Sequence, residues 1–493
     1  MASMRDFVKS IGTVLPEIPK PERKPSLNER FIWTGLALVA YLVMATTPLY
    51  SFSGLGSQPD QLAFLRVVFA STQGTLMELG IGPIVTSGLI LQLLVGSDII
   101  KLNMSEPGDR AIFGSATKFL TLIVIVGESI AYIFGGALNH VTTSATGATV
   151  STPLTETQAV VVFVQLFIAS LIVLLLDETI QKGWGIGSGV SLFILAGVCQ
   201  TVAWYTFSPF PFTAAAGQAP EIFGFIPATI SAWFTNTLPS IVVRNFDYPS
   251  LLTFVLTVVM ILILVYIEGI RVELPITSVK YRGFQGVYPI KLLYVSNIPV
   301  ILVSALSANI TFFTRILQNF ECPGGVCTPG SWMSYVAVFQ PNSTSQYPTG
   351  GIAYYMNPPQ GINQTISDPV HSIIFLAFLV TMAVIFARLW VEIGGLNPKA
   401  VAKNLMDADV QVPGFRRTGL SIEQMLNRYI PTLTIIGGIL IGLIAGVSDL
   451  FGVFGSGIGI LLMVDIILQY YQMLLKEQVE EISPALAGLI GAG

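Results

Sequence analysis

The chain of 493 residues is 53% hydrophobic and only 11% charged, whereas an ordinary soluble protein carries about 25% charged residues. Its 24 basic and 28 acidic residues give a net charge of −4, which offers no overall reason to expect a nucleic-acid partner. The composition excludes an ordinary soluble domain and predicts an integral membrane protein.

The first 30 residues are polar and interrupted by prolines. They lack the short apolar core and small-residue cleavage site of a removable signal peptide, so we expect the first apolar segment to stay in the protein. Phe7, Ile11, Val14 and Leu15 have a weak amphipathic spacing, which fits either a helix on the membrane surface or a solvated tail. We expect residues 1–30 to form a cytoplasmic segment.

Apolar runs follow one another along the rest of the chain. A transmembrane helix takes about 20 mostly apolar residues, and nine runs reach or approach that length, at residues 31–49, 119–138, 159–176, 186–204, 251–267, 292–310, 370–386, 429–447 and 451–473. A tenth run, 81–96, covers most of the hydrocarbon and forms one broken element with the shorter run 61–69 before it. The sequence therefore predicts an all-α, polytopic membrane protein with ten transmembrane helices.

The placement of basic residues tests this helix count, since one missed helix would invert every later loop. With the N-terminus inside, every Lys and Arg except Arg66, Arg244 and Arg315 falls on the cytoplasmic side, as the positive-inside rule requires. Both termini are therefore expected in the cytoplasm.

Five helices precede the outer segment 208–250 and five follow it. This division predicts a first half at 31–207 and a second half at 251–493, pseudo-symmetric and hinged on the outer face, with cytosolic loops at 271–291 and 397–428. No residue-level repeat between the halves is evident. Several transporter folds share a five-plus-five layout, so topology alone does not define the function.

The sequence contains few residues that could form a catalytic site. There is no phosphate-binding loop and no Cys or His cluster, and the two histidines, His140 and His371, both fall at outer helix ends. Ser188 is the sharpest nucleophile candidate, as in an intramembrane protease, but it begins its helix on the inner side. We therefore expect no enzyme activity, no metal and no cofactor.

A coupled transporter of a small solute is the main alternative to a channel. Such proteins usually carry several ionisable groups within the membrane, each costing about 2.5 to 3.5 kcal/mol. Here only Glu128 and Asp465 interrupt apolar runs, and either fits a buried group of purely structural use. Their scarcity favours a channel.

Six short motifs are spread along the chain. The first is Gly-Thr-Leu-Met-Glu-Leu-Gly-Ile-Gly-Pro-Ile-Val-Thr-Ser-Gly at 74–88, and the others are Gly-Ile-Gly-Ser-Gly at 185–189, Tyr-Pro-Ile-Lys at 288–291, Ser-Asn-Ile-Pro at 296–299, Ser-Asp-Pro at 367–369 and Asn-Arg-Tyr-Ile-Pro at 427–431. Together they resemble the SecY family, the pore-forming subunit of the Sec protein translocon, in its archaeal and eukaryotic branch. The resemblance implies a channel that moves unfolded polypeptides across the membrane and releases transmembrane segments sideways into lipid.

The resemblance also implies a ring of aliphatic side chains at the waist of the pore. Its members are Ile81, Val85, Val190, Ile194, Ile301 and Leu462. Without the motifs, such residues would be interpreted as ordinary helix packing or lipid contact. An apolar ring can close around a polypeptide of any sequence without binding it, and when empty it opposes ion passage by dewetting.

A plug and a lateral gate are implied as well. The plug matches residues 61–73, with Gln61, Leu62, Phe64, Leu65, Arg66, Val67 and Phe69. The gate's polar cluster matches Thr86, Glu128, Ser296 and Asn297, whose hydrogen bonds would be exchanged when an apolar signal helix wedges the gate open. A purely structural use of Glu128 remains open.

The driving force must come from partners. Lys280, Arg282 and Arg416 match the family's ribosome-binding loops and would pair with RNA phosphates, although inner basic residues also serve topology alone. The resemblance further implies a SecE-type and a Sec-beta-type small membrane subunit, and signal peptides and nascent polypeptides as substrates. We expect the plasma membrane of an archaeon, with the endoplasmic reticulum membrane as the alternative.

Three features depart from the family pattern. The outer segments are long, and one contains Cys322 and Cys327, which fit either a disulfide or two free thiols. Asn342 and Asn363 begin outer Asn-x-Ser/Thr sites that would accept glycans in a suitable host. Asp465 occupies a place where a small polar residue is expected.

Overall fold

The computed structural model describes residues 17–482 apart from short gaps. The gaps are at residues 24, 51–65, 67–68, 97–98, 101, 103–106, 135–137, 139, 144–148, 153, 213–220, 245–247, 279–284, 296–297, 322–331, 340–347, 360, 408–409 and 412–418.

Long helices make up most of the described structure. We number them α1 Leu27–Thr46, α2 Gly82–Gly96, α3 Pro107–Phe134, α4 Glu156–Thr179, α5 Gly189–Phe207, α6 Leu251–Gly269, α7 Ile298–Glu321, α8 Pro369–Ile393, α9 Gly419–Leu450 and α10 Gly457–Ile482. Within the described ranges, eight of these are long and apolar enough to cross a membrane, and α2 and Ile298–Thr314 of α7 are shorter apolar helices. The ten helices predicted from the sequence are all accounted for.

Short helices and sheets fill the connections. The helices are Phe225–Phe234, Pro239–Val242, Trp332–Val336, Ile352–Met356, Gly361–Ser367 and Pro398–Asp407, and one π-helical turn, Ile180–Trp184, follows α4. The strands are β1 His140–Thr143, β2 Thr149–Thr152, β3 Pro211–Phe212, β4 Glu221–Ile222, β5 Arg271–Ser278, β6 Gln285–Lys291 and β7 Val410–Gln411. They form antiparallel sheets β1-β2, β3-β4 and β6-β5-β7.

Local sequence signals set several helix ends. Ser26 and Glu29 form a capping box at the start of α1, with the Glu29 carboxylate accepting from the Ser26 N–H at 3.0 Å. Asp368 caps α8, where its side chain accepts from the His371 N–H at 3.1 Å and Pro369 occupies the first turn. Each cap supplies a partner for an N–H group that the helix itself leaves free.

Two helices differ from the predicted spans. α7 was expected at 292–310, but it begins at Ile298 and continues to Glu321. Its first turn contains Pro299, whose missing N–H costs nothing there but would break a hydrogen bond inside a helix that began earlier. α3 begins at Pro107 rather than 119, since helix formation continues past the apolar run into polar residues such as Arg110.

One apolar core joins both halves. It contains Tyr41 of α1, Phe193 of α5, Val300 of α7, Phe375 of α8 and Leu461 of α10, all at most 3% exposed. A second apolar cluster contains Ile290 of β6, Val401 of the helix Pro398–Asp407 and Leu426 of α9. The second cluster joins parts of the two connections that were predicted to be cytosolic, β6 and the helix Pro398–Asp407, to α9.

The N-terminal segment is fastened beside α4 and its π-helical turn. Lys182 pairs with Glu17 at 2.5 Å and also donates to the Ile18 carbonyl, while the Trp184 indole N–H donates to the Pro19 carbonyl at 2.9 Å. The hydrogen bond from Lys182 and its charge lower the pKa of the mostly exposed Glu17 carboxyl. These contacts bring residues 17–19 close to the turn that leads into α5.

The outer segment between the halves is held by Arg244. Its guanidinium is buried and donates to the carbonyl oxygens of Phe223, Pro249 and Ile222, the last at 2.7 Å, and it stacks 4.7 Å from the ring centre of Tyr248. The exposed Glu221 carboxylate is also 3.1 Å away. One side chain therefore supplies donors to several buried carbonyls of this segment.

Candidate functional site

The six aliphatic side chains predicted as the ring share one apolar cluster. Ile81, Ile194 and Leu462 are at most 1% exposed, and Val85, Val190 and Ile301 pack against the same cluster. They come from four helix regions, the turn before α2 and α2 itself, α5, α7 and α10. The six predicted ring residues thus all belong to the apolar core that both halves share.

A buried ion pair lies beside this cluster. The Arg66 guanidinium donates to Glu78 Oε1 at 2.9 Å, with the two side chains 8% and 1% exposed. The second carboxylate oxygen, Oε2, accepts from the Gly74 N–H at 2.5 Å. Because each charge has a close partner, the pair is tolerable in a buried place where a single charge would not be.

The end of the predicted plug is joined to the ring by its backbone. The Phe69 carbonyl accepts from the N–H of Ile81 at 2.8 Å, and the Ala70 carbonyl accepts from the Tyr41 hydroxyl at 3.2 Å. Gly80 has a φ of +54°, and a Cβ there would lie 2.2 Å from the Phe69 carbonyl oxygen. The close approach requires glycine at position 80.

A polar chain crosses from α3 through α2 to α7. Thr86 Oγ1 donates to Glu128 Oε1 at 3.3 Å, and Asn309 Nδ2 donates to Thr86 Oγ1 at 3.1 Å. Thr86 and Glu128 are buried, and Asn309 is half-buried. Two of the predicted gate residues are therefore in contact, and their partner on α7 is Asn309.

Asn309 was not predicted, although the sequence contains a signal for it. It is the first side-chain amide of α7 and stands among aliphatic and small hydroxyl residues, and a side-chain amide in a membrane helix usually faces another helix rather than lipid. The predicted α7 members of the gate, Ser296 and Asn297, lie outside the described residues. Their role in the gate stays a prediction.

Several other predicted site residues also lie outside the described residues. These are the plug residues Gln61, Leu62, Phe64, Leu65 and Val67, the ribosome-site residues Lys280, Arg282 and Arg416, the thiols Cys322 and Cys327, and the glycan acceptor Asn342. Asn363 is described, and it is exposed on the short helix Gly361–Ser367.

The backbone places the bases of the two cytosolic loops side by side. β5 ends at Ser278, just before Lys280, and β7 ends at Gln411, just before the segment that contains Arg416. The two strands pair antiparallel, with Ser278 opposite Val410. Both predicted ribosome-contact loops therefore leave from one small sheet.

Asp465 belongs to a group of carboxylates and their partners on the cytosolic side of α6 and α10. Its side chain accepts from Gln469 Nε2 at 2.9 Å and lies near the Glu268 carboxyl. Lys291, at the end of β6, lies 4.0 Å from Glu268 Oε2. Asp465 thus has a hydrogen-bond partner within the fold, and this arrangement fits a structural use.

Comparison with known sequences addresses the family directly. The sequence model of SecY matches residues 75–471, which is most of the chain, and the model of the plug domain of Sec61p matches residues 39–74. The chain belongs to the SecY family. The plug-domain match includes the segment from Arg66 to Gly74 that is fastened to Glu78 and Ile81 in the structure.

Solved structures of SecY-type channels have the same fold as this SecY-family chain. The structure of a protein-conducting channel has 35% sequence identity and a TM-score of 0.79, over 97% of this chain and 98% of that one. A SecY structure that addresses plug stabilisation of the closed channel has 34% identity and a TM-score of 0.77, over the same shares. Canine Sec61 in a ribosome–channel complex from the endoplasmic reticulum likewise has 34% identity and a TM-score of 0.77, over 97% and 98%.

Proposed function

We propose that this SecY-family protein is a protein-conducting channel that moves unfolded polypeptides across the membrane and releases apolar segments sideways into lipid. The single observation that supports the proposal is that the predicted ring residues, from α2 and the turn before it, α5, α7 and α10, all belong to one apolar cluster. A seal made of branched apolar side chains blocks ions when empty and yields to a chain of any sequence.

The plug and the gate complete the proposed mechanism. The buried pair of Arg66 and Glu78 would hold the plug beside the ring in the closed channel. The hydrogen bond between Thr86 and Asn309 joins α2 of the first half to α7 of the second. An apolar signal helix that enters between α2 and α7 would replace this contact with its own packing, and the opening would lead to lipid.

The partners follow from the same proposal. The loops at 279–284 and 412–418 leave from one sheet, so Lys280, Arg282 and Arg416 together would present a basic surface to ribosomal RNA phosphates. The comparison structures include ribosome-bound channels, canine Sec61 and yeast Ssh1. SecE-type and Sec-beta-type subunits would complete the assembly, and signal peptides and nascent chains would be its substrates.

The protein is a multi-pass membrane protein, and its membrane is part of the proposal. We place it in the plasma membrane of an archaeon, with the endoplasmic reticulum as the alternative. Immunogold labelling in the native host would separate the two locations.

Ion conductance in reconstituted vesicles tests the proposed function. We expect the wild-type protein, reconstituted with its small subunits, to be silent. A variant that lacks residues 61–73 and carries Ile81→Ser, Val85→Ser and Ile194→Ser should conduct ions continuously, because its waist is then wettable and has no plug.

A matched control carries three serines on the lipid-facing side of α4. Val164, Ile168 and Ile172 are 46%, 49% and 39% exposed, so Val164→Ser, Ile168→Ser and Ile172→Ser should leave the vesicles silent. Equal conductance of the ring variant and wild type would show that the pore lies elsewhere. Uptake of a small solute driven by a sodium or proton gradient in the same vesicles would favour the secondary transporter instead.

A further inference from the structure

The two ring helices α5 and α10 begin in the same way. Each starts at the second glycine of a Gly-Ser-Gly sequence, at 187–189 and 455–457, and both Gly187 and Gly455 have a φ of +76°. Cβ atoms at the helix-starting glycines would collide with the preceding helix. The distances are 2.5 Å from Gly189 to the Asp177 Cα and 2.2 Å from Gly457 to the Ala445 carbonyl oxygen.

Both helix starts also receive a buried carboxylate from the helix before them. Asp177 of α4 accepts from the Val190 N–H at 2.9 Å, and Asp449 of α9 accepts from the Gly457 N–H at 2.6 Å. Each Asp side chain is 6% exposed. The first N–H groups of a helix have no partner within it, so an external acceptor fixes where the helix begins.

The ring residues stand in the same register from the two helix-starting glycines. Ile194 is five residues beyond Gly189, and Leu462 is five residues beyond Gly457. α5 begins on the cytosolic side and α10 on the outer side, so the two units are inverted relative to each other, as in folds built from inverted repeats. The residue-level correspondence between the halves that was not evident from the sequence is therefore present at these two turns.

We propose that Asp177 and Asp449 are matched positioning residues that set the height and rotation of α5 and α10, and so bring Ile194 and Leu462 to one level in the ring. This inference rests on the proposed function of the ring. A slip of one residue at either cap moves its ring side chain by about 1.5 Å and turns it by about 100°. Such a displacement opens a closed apolar seal.

Basal conductance of closed channels tests the proposal in the same vesicles with the small subunits. Asp177→Ala and Asp449→Ala should each raise the ion leak at least fivefold, whereas Asp177→Asn and Asp449→Asn should stay close to wild type because the amide oxygen still accepts from the helix. The matched control is Glu178→Ala. Glu178 is the buried neighbour of Asp177 and pairs with Lys118 at 2.5 Å and Lys182 at 2.8 Å, so its loss should lower the melting temperature without a leak.

The outcomes separate the two proposals. Silent alanine variants beside a leaking serine-ring variant would overturn the role of the aspartates and leave the channel intact, while a silent serine-ring variant would overturn the channel itself. If the alanine variants do not fold, the conductance of Asp177→Gln is compared with that of Asp177→Asn. Glutamine keeps the acceptor on a side chain one methylene longer, so it should leak, and equal conductance of the two variants would contradict the proposal.

Discussion

Single residues hold the plug through a buried ion pair. Arg66 and Glu78 are both almost inaccessible to solvent, and Glu78 also accepts from the Gly74 N–H. Such a pair can be buried because each charge offsets part of the hydration energy that the other loses. The Arg66 charge, unusual on the outer side of the membrane, thus has a structural reason.

Arg66→Met should therefore loosen the plug. It leaves the Glu78 carboxylate buried without its main partner, at a cost on the order of 3 kcal/mol, which shifts the closed state toward opening by on the order of 100-fold. Single-channel recording would show frequent openings. Adding Glu78→Gln should make the channel nearly silent again. The glutamine oxygen still accepts from the Gly74 N–H, and the substitution removes the unpaired charge. An equally leaky double variant would contradict this account.

Asn309 contributes a hydrogen bond between the halves at the proposed gate. Asn309→Ala removes one hydrogen bond to Thr86, worth about 1 kcal/mol, so opening should become about fivefold easier. Translocation of a reporter with a weakened signal sequence should rise accordingly. Asn357→Ala serves as the control, because Asn357 donates to Thr311 of the same helix at 2.8 Å without bridging α2 and α7; an equal rise in both variants would argue against a specific gate role.

At the scale of an element, the outer segment 208–250 depends on Arg244 for its shape. Arg244→Ala leaves several buried carbonyls without a donor, and we expect a local loss of about 2 kcal/mol or more, at about 1 kcal/mol for each hydrogen bond. Limited proteolysis from the outer face should then cleave this segment faster. Glu221→Gln should change the rate little, because the Glu221 side chain is 63% exposed and exposed ion pairs contribute under about 1 kcal/mol; similar rates for both variants would be against the role of Arg244.

At the scale of the whole molecule, opening requires the halves to separate along α2 and α7. Thr86 Oγ1 and Asn309 Nδ2 are 3.1 Å apart, so cysteines at both positions should be joined by a short bifunctional thiol reagent. The joined protein should stop translocating polypeptides yet remain silent to ions. The controls are the variants with only one of the two substitutions, treated with the same reagent, and undiminished translocation by the joined protein would show that the halves need not part there.

The sequence by itself determined the membrane class, the ten helices and the family. Lipid cannot satisfy backbone hydrogen bonds, so apolar length alone identifies the spans, and the loop charges fix their direction. Through the family resemblance it also singled out Ile81, Ile194 and Leu462, which lie in the buried apolar core; their place in a pore ring stays a prediction.

The tertiary structure decided what depends on contacts between distant segments. Asn309 meets Thr86 across more than 200 residues of chain, and no local pattern in α7 indicates which amide faces the gate. The same holds for the Asp177 and Asp449 caps, since the spacing from each aspartate to its glycine differs between the halves, while in both halves the carboxylate accepts from an N–H in the first two residues of the next helix. Only the packing of each helix against the next brings Asp177 and Asp449 to the start of a ring helix.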